Sequence, residues 1–173
     1  MRLIWAGRVL AVIALFGLTV ANTSADEGTV SARAKLSGFQ ENLPKLTTGT
    51  GTFTATVSGR TLTYRLTYSG LSSDAVMSHI HFAQPGVNGG IFIWLCGSAA
   101  FPGPTGTPSC PAKGGTVTGS VTASGVLPQA MQNLNAGDFA GAVRILQSGS
   151  AYVNVHTMNW LGGEIRGQVK TGN

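Results

Sequence analysis

From residue 29 onward, hydrophobic and polar positions alternate in short runs: "TVSARAKLSG", "TGTFTATVSG", "RTLTYRLTYSG", "VMSHIHF", "IFIWLC", "GGTVTGSVTASG", "SAYVNVHT" and "GEIRGQVK". Each run is rich in Thr, Val, Ile or aromatic residues, which suit a pleated, half-buried surface, and each is bounded by Gly, Ser, Asn or Pro. The pattern predicts an all-β domain, an antiparallel β-sandwich or barrel with one or two short helices. "VSGRTL" reads as a tight hairpin turning at Gly59. One stretch leaves the period of two. In "GDFAGAVRILQSG", Phe139, Val143 and Leu146 recur at helical spacing, Asp138 is a ready N-cap and Gly149 a stop. A further helical turn is expected in "LPQAMQNLNAG".

The first residues follow a different rule. Arg2 and Arg8 precede the apolar run Val9 to Ala21, 13 residues long, and the small residues "NTSA" follow. That is the layout of a secretory signal peptide covering residues 1–25, with Thr23 and Ala25 at positions −3 and −1 of a cut before Asp26. The run is short for a spanning helix, which needs about 20 apolar residues. A secreted or periplasmic protein is expected, with no membrane association once the signal is removed. Residues 26–173 then form a single domain, long enough to bury about two thirds of its unfolded surface.

Loss of Arg2 and Arg8 leaves nine basic residues against six acidic ones. The basic residues are scattered along the sequence without interleaved aromatics, which argues against a nucleic-acid partner. Both cysteines, Cys96 and Cys110, flank the Pro- and Gly-rich segment "GSAAFPGPTGTPS". In an oxidising compartment an isolated pair is most simply a disulfide, and the spacing does not fit a standard zinc site.

Three histidines occur in the chain, and all lie in two strand-like runs, "SHIHF" and "NVHTMNW". Residues two apart share a face of a strand. Met77, His79 and His81 therefore point one way, and Tyr152, Asn154 and His156 share a face of the later run. If the two strands are neighbours, three imidazoles converge. Imidazole nitrogen suits copper and zinc, and thioether sulfur is a soft donor that favours Cu(I). Met77 and Met158, each two positions from a histidine, tip the choice to copper first and zinc second. A structural role for the same histidines, hydrogen-bonded within the sheet, is the plain alternative. In the last run, Glu164 is a candidate to orient an imidazole from behind, and Arg166 a candidate to hold an anion beside the histidines.

Enzyme motifs are missing from the sequence: it has no Gly-x-Ser-x-Gly elbow, no phosphate loop and no His-Glu-x-x-His. No enzymatic activity is expected.

The segments "LSGFQENLP", "GTGTFTATVSGRTLTYRLTYSGL", "SHIHFAQPGVNGG" and "AYVNVHTMNWLGGEIRGQV" resemble the successive motifs of the CHRD domain, named from chordin, over roughly residues 30 to 170. The resemblance implies a β-rich extracellular module, and it maps the family's histidine positions onto His79, His81 and His156 and its Glu-Ile-Arg onto Glu164 to Arg166. Met77 and Met158, the Cys96–Cys110 excursion and Leu161 before Gly-Gly depart from that pattern. A fainter likeness to copper-zinc superoxide dismutases rests on His-x-His alone, since the bridging histidine and zinc ligands have no counterpart; dismutase activity is a remote prospect. The leading expectation is an exported metal-binding domain for storage, delivery or sensing, working with a metal-delivery or other extracellular protein partner. The rival is a metal-free module that engages a protein or a cell-surface polymer.

Overall fold

A computed structural model describes residues 28–172; the expected signal peptide falls outside the described residues. Strands form where alternation predicts them: β1 (Val30–Ser37), β2 (Thr50–Ser58), β3 (Thr61–Ser69), β4 (Ala75–Phe82), β5 (Gly90–Cys96), β6 (Gly115–Val121), β7 (Ala151–Thr157) and β8 (Ile165–Gln168). A short β9 (Lys170–Gly172), which the pattern did not announce, pairs with β1. Helix α1 (Phe139–Gln147) begins at Asp138, whose side chain accepts from the Gly141 amide. A 3₁₀ turn at Ala130–Gln132 supplies the second helical segment.

Among the described residues the nine strands make one antiparallel sheet, ordered β5-β4-β7-β8-β1-β2-β3-β6 with β9 beside β1. The sheet curls until its two edges, β5 and β6, approach each other, giving a nearly closed barrel. Inside lie Leu36, Phe53, Val57, Leu62, Leu66, Ile80, Phe92, Val153, Val155 and Ile165, with Phe139, Ala142, Ile145 and Leu146 of α1 packed against them.

The seam between β5 and β6 is held by side chains. Tyr64 on β3 donates its hydroxyl to the Leu95 carbonyl of β5 at 2.6 Å, and Tyr68 donates to the Pro111 carbonyl at 2.5 Å. Gly119 on β6 lets the first of these pass, because a Cβ there would overlap the Tyr64 hydroxyl. The Cys96–Cys110 disulfide ties the excursion that leaves β5 at the same seam. Edge strands invite pairing with other chains; here β5 and β6 face each other without pairing, and the Phe92 carbonyl of β5 accepts from the Leu127 amide.

The two halves of the barrel differ in what they bury. β1, β2, β3 and β6 alternate between buried and exposed positions. β4, β7 and most of β8 are buried on both faces. Loops cover the outer face of this second half, although its residues are polar.

Two variants test the seam. Tyr64→Phe leaves the buried Leu95 carbonyl without its donor and is expected to cost about 1–2 kcal/mol in urea unfolding. Replacing both Cys96 and Cys110 by Ser releases a loop of about 15 residues and is expected to cost about 3 kcal/mol, with the far-UV spectrum retained.

Candidate metal centre

The outer face of β4 and β7 gathers all three histidines. The register sets Met77 opposite His156, His79 opposite Asn154 and His81 opposite Tyr152. Directly opposed residues share a face, so the two strands are neighbours in the way the histidine pattern requires. One ring nitrogen from each of His79, His81 and His156 lies within 4.8 Å of the others. All three side chains are buried.

Hydrogen bonds to main-chain carbonyls fix two of the tautomers. His81 Nδ1 lies 2.9 Å from the Gly89 carbonyl, and His156 Nδ1 lies 2.8 Å from the Leu161 carbonyl. A carbonyl only accepts, so Nδ1 carries the proton in both rings and each Nε2 presents a lone pair. Both Nε2 atoms point at Asn154 Oδ1, at 3.0 and 2.9 Å. His79 Nδ1 lies 3.2 Å from His156 Nε2, and its own Nε2 has no partner. Asn154, His81 and His156 thus meet at one point, where a proton on His79 Nδ1 donates to His156 Nε2 and leaves His79 Nε2 unpaired.

Glu41 lies behind the Asn154 amide, beside Gly163. Gly163, at φ 115°, brings its backbone so close that a Cβ would overlap both Glu41 Oε1 and Asn154 Nδ2. Burial pushes the Glu41 carboxyl up to about 7, against the pull of Arg166, Lys45 and the Asn154 amide. Glu41 was not a candidate in the sequence, where "FQENLP" carries no signal of burial; Asn154 was placed on the histidine face but given no role.

Aromatic and cationic groups wall the cluster. The Tyr152 ring stacks on His81 at 4.6 Å, nearly parallel, and the Arg166 guanidinium sits on Tyr152, its carbon 3.4 Å from the ring centroid. Trp94 of β5 meets His79 edge-on at 4.2 Å, and its indole lies against Gly103 of the disulfide-tied excursion.

Two expected roles are corrected. Glu164 does not orient an imidazole: its carboxylate accepts from the Thr47, Ser72 and Thr157 hydroxyls and the Ser72 amide at 2.6–2.8 Å, binding three loop or strand ends together. Burial alone would raise its pKa, but these four donors hold it below the usual range. Arg166 is buried and turned to protein acceptors: it donates to the Gln84 and Val87 carbonyls and Asn88 Oδ1, anchoring the loop that supplies Gly89. Period-two reasoning gave these residues a polar face and could not show that loops bury it. Of the methionines, Met77 is half-buried beside His156, whereas Met158 lies in the exposed turn after β7.

Comparison with protein families matches residues 32–169 to the CHRD domain. The chain belongs to the CHRD domain family. No curated protein and no solved structure matches it. CHRD domains are extracellular, and the disulfide agrees with that; among the described residues no helix is long and apolar enough to cross a membrane.

The buried imidazoles carry a pH signature. Burial lowers all three; His156 falls to about 4, with the neighbouring His81 adding to the effect, and His79 falls further. The unfolded chain takes up protons near the ordinary value of 6.5 and the folded chain does not. Stability of the metal-free protein is therefore complete above pH 6.5 and lost as pH falls towards 4, at up to about 1.4 kcal/mol per pH unit for each histidine. Urea titrations at pH 7.5, 6 and 5 are expected to show that decline, and His156→Gln to reduce its slope.

Proposed function

We propose that this CHRD domain binds one transition-metal ion at His79, His81 and His156, copper ahead of zinc, for storage, delivery or sensing outside the cytoplasm. The observation that carries the reading is the buried cluster of three imidazoles, one ring nitrogen of each within 4.8 Å of the others, with two tautomers locked by backbone carbonyls. A ring whose far nitrogen donates to a carbonyl is the usual arrangement of a metal-ligating histidine. A cation would be met by one nitrogen lone pair from each of the three rings.

Metal–nitrogen bonds of about 2.0–2.1 Å require the nitrogens to close in from their present spread by roughly an ångström, within the reach of side-chain rotation. Met77 beside His156 favours copper, as a soft donor within reach of the same face. Arg166, Tyr152 and Trp94 wall the cluster off from solvent.

A metal-free interaction module remains the second reading, and one observation favours it. The loops over the cluster expose Phe39, Leu43, Leu46 and Trp160, and Lys45 packs on the Trp160 ring at 5.3 Å. Such an apolar rim suits contact with another protein; with a metal beneath it, the contact would be one of delivery.

Elemental analysis of the disulfide-intact protein, after equilibration with copper and with zinc followed by desalting, tests the proposal. One copper per chain is expected, with His81→Ala and His156→Ala losing it while still folded, and Asn154→Ala binding about ten times more weakly. A folded wild-type protein that retains neither metal would return the histidines to structural duty.

A further inference from the structure

The barrel's other half carries a feature that sequence order conceals. The basic residues are spread along the chain, yet the sheet register gathers four of them on one outward face. Lys170 of β9 lies opposite Arg33 of β1, Arg33 opposite Thr54 of β2, Thr54 opposite Arg65 of β3, and Arg65 opposite Thr118 of β6. Lys35 stands two residues from Arg33 on the same face. All of these side chains are exposed. Like charges directly opposed across strands are destabilising, and Arg33 against Lys170 is such a pair.

No acid relieves it among the described residues. Glu41 and Glu164 are buried on the histidine side, Asp74 lies in the loop before β4, and Asp138 caps α1. An open groove of about 600 Å³ runs past Arg33, Lys35 and Lys170, with Gln40, Thr52 and Thr54 along it. Arg33 and Arg65, two strands apart, stand about 10 Å from each other, and Arg33 and Lys35 about 7 Å.

We propose that this face binds an acidic polysaccharide of the extracellular surroundings, a polymer with carboxylate or sulfate groups at regular intervals. Spaced cations neutralise the acidic groups, and the threonine hydroxyls and Gln40 amide between them suit sugar hydroxyls. A nucleic acid fits less well, because no aromatic side chain stands in the basic row for bases to stack on. The site lies apart from the histidines and does not depend on metal.

The test uses alginate, a linear polyuronate, in affinity electrophoresis of the disulfide-intact protein, with double-stranded DNA run in parallel. Arg33→Gln combined with Arg65→Gln is compared with Arg60→Gln combined with Lys113→Gln, which removes the same charge elsewhere. Binding of the wild type to alginate at low salt is expected to weaken roughly tenfold or more in the first variant, less than about threefold in the second, and steeply with added salt. Lys35→Gln with Lys170→Gln serves as an independent pair should the first fail to melt cooperatively. Equal losses in patch and control variants, tighter binding to DNA than to alginate, or no binding at low salt would each overturn the proposal.

Discussion

Both faces of β4 and β7 are out of water, and only one of those faces is apolar. A polar group removed from water without a partner costs far more than a made hydrogen bond gains. The outer face must therefore satisfy His79, His81, Asn154, His156 and Arg166 from within the protein, and the loops are arranged to do it. The loop after β4 supplies carbonyls to His81 and Arg166, and the turn after β7 supplies one to His156. Glu164 then fastens the segments around Thr47 and Ser72 to the end of β7. Loop positions follow from polar satisfaction here more than from apolar contact.

That accounting is incomplete at several buried atoms: His79 Nε2 within the histidine cluster, Glu41 Oε1 behind Asn154, and Gln168 Oε1 have no hydrogen-bond partner. Native proteins seldom leave such groups unmatched unless the site has work to do. The His79 deficit is the one that falls within the histidine cluster.

Much of this was legible in the sequence, for identifiable reasons. All eight long strands and α1 follow from alternation, the Asp138 cap and glycine stops, because local geometry and burial agree there. Placement of His79, His81 and His156 on shared faces follows from the same period of two, and the family resemblance led to the same positions. The roles of Glu164 and Arg166 did not follow, because a polar face looks the same in sequence whether water or a loop covers it. Glu41 was hidden for a related reason: its burial depends on Gly163, more than a hundred residues later. The gathering of Arg33, Arg65 and Lys170 needed the strand order, which no single strand encodes.

The distance in sequence between the two histidine strands sets an order of events in folding. β4 pairs with β7 across an intervening stretch that contains β5, β6 and α1, and β7 is held in turn by β8. Pairings so remote along the chain form late and slowly. A nascent chain presents His79 and His81 long before His156 arrives, and until β7 docks it holds only a bare His-x-His pair. Occupancy of the complete cluster would thus report that the last third of the domain has closed.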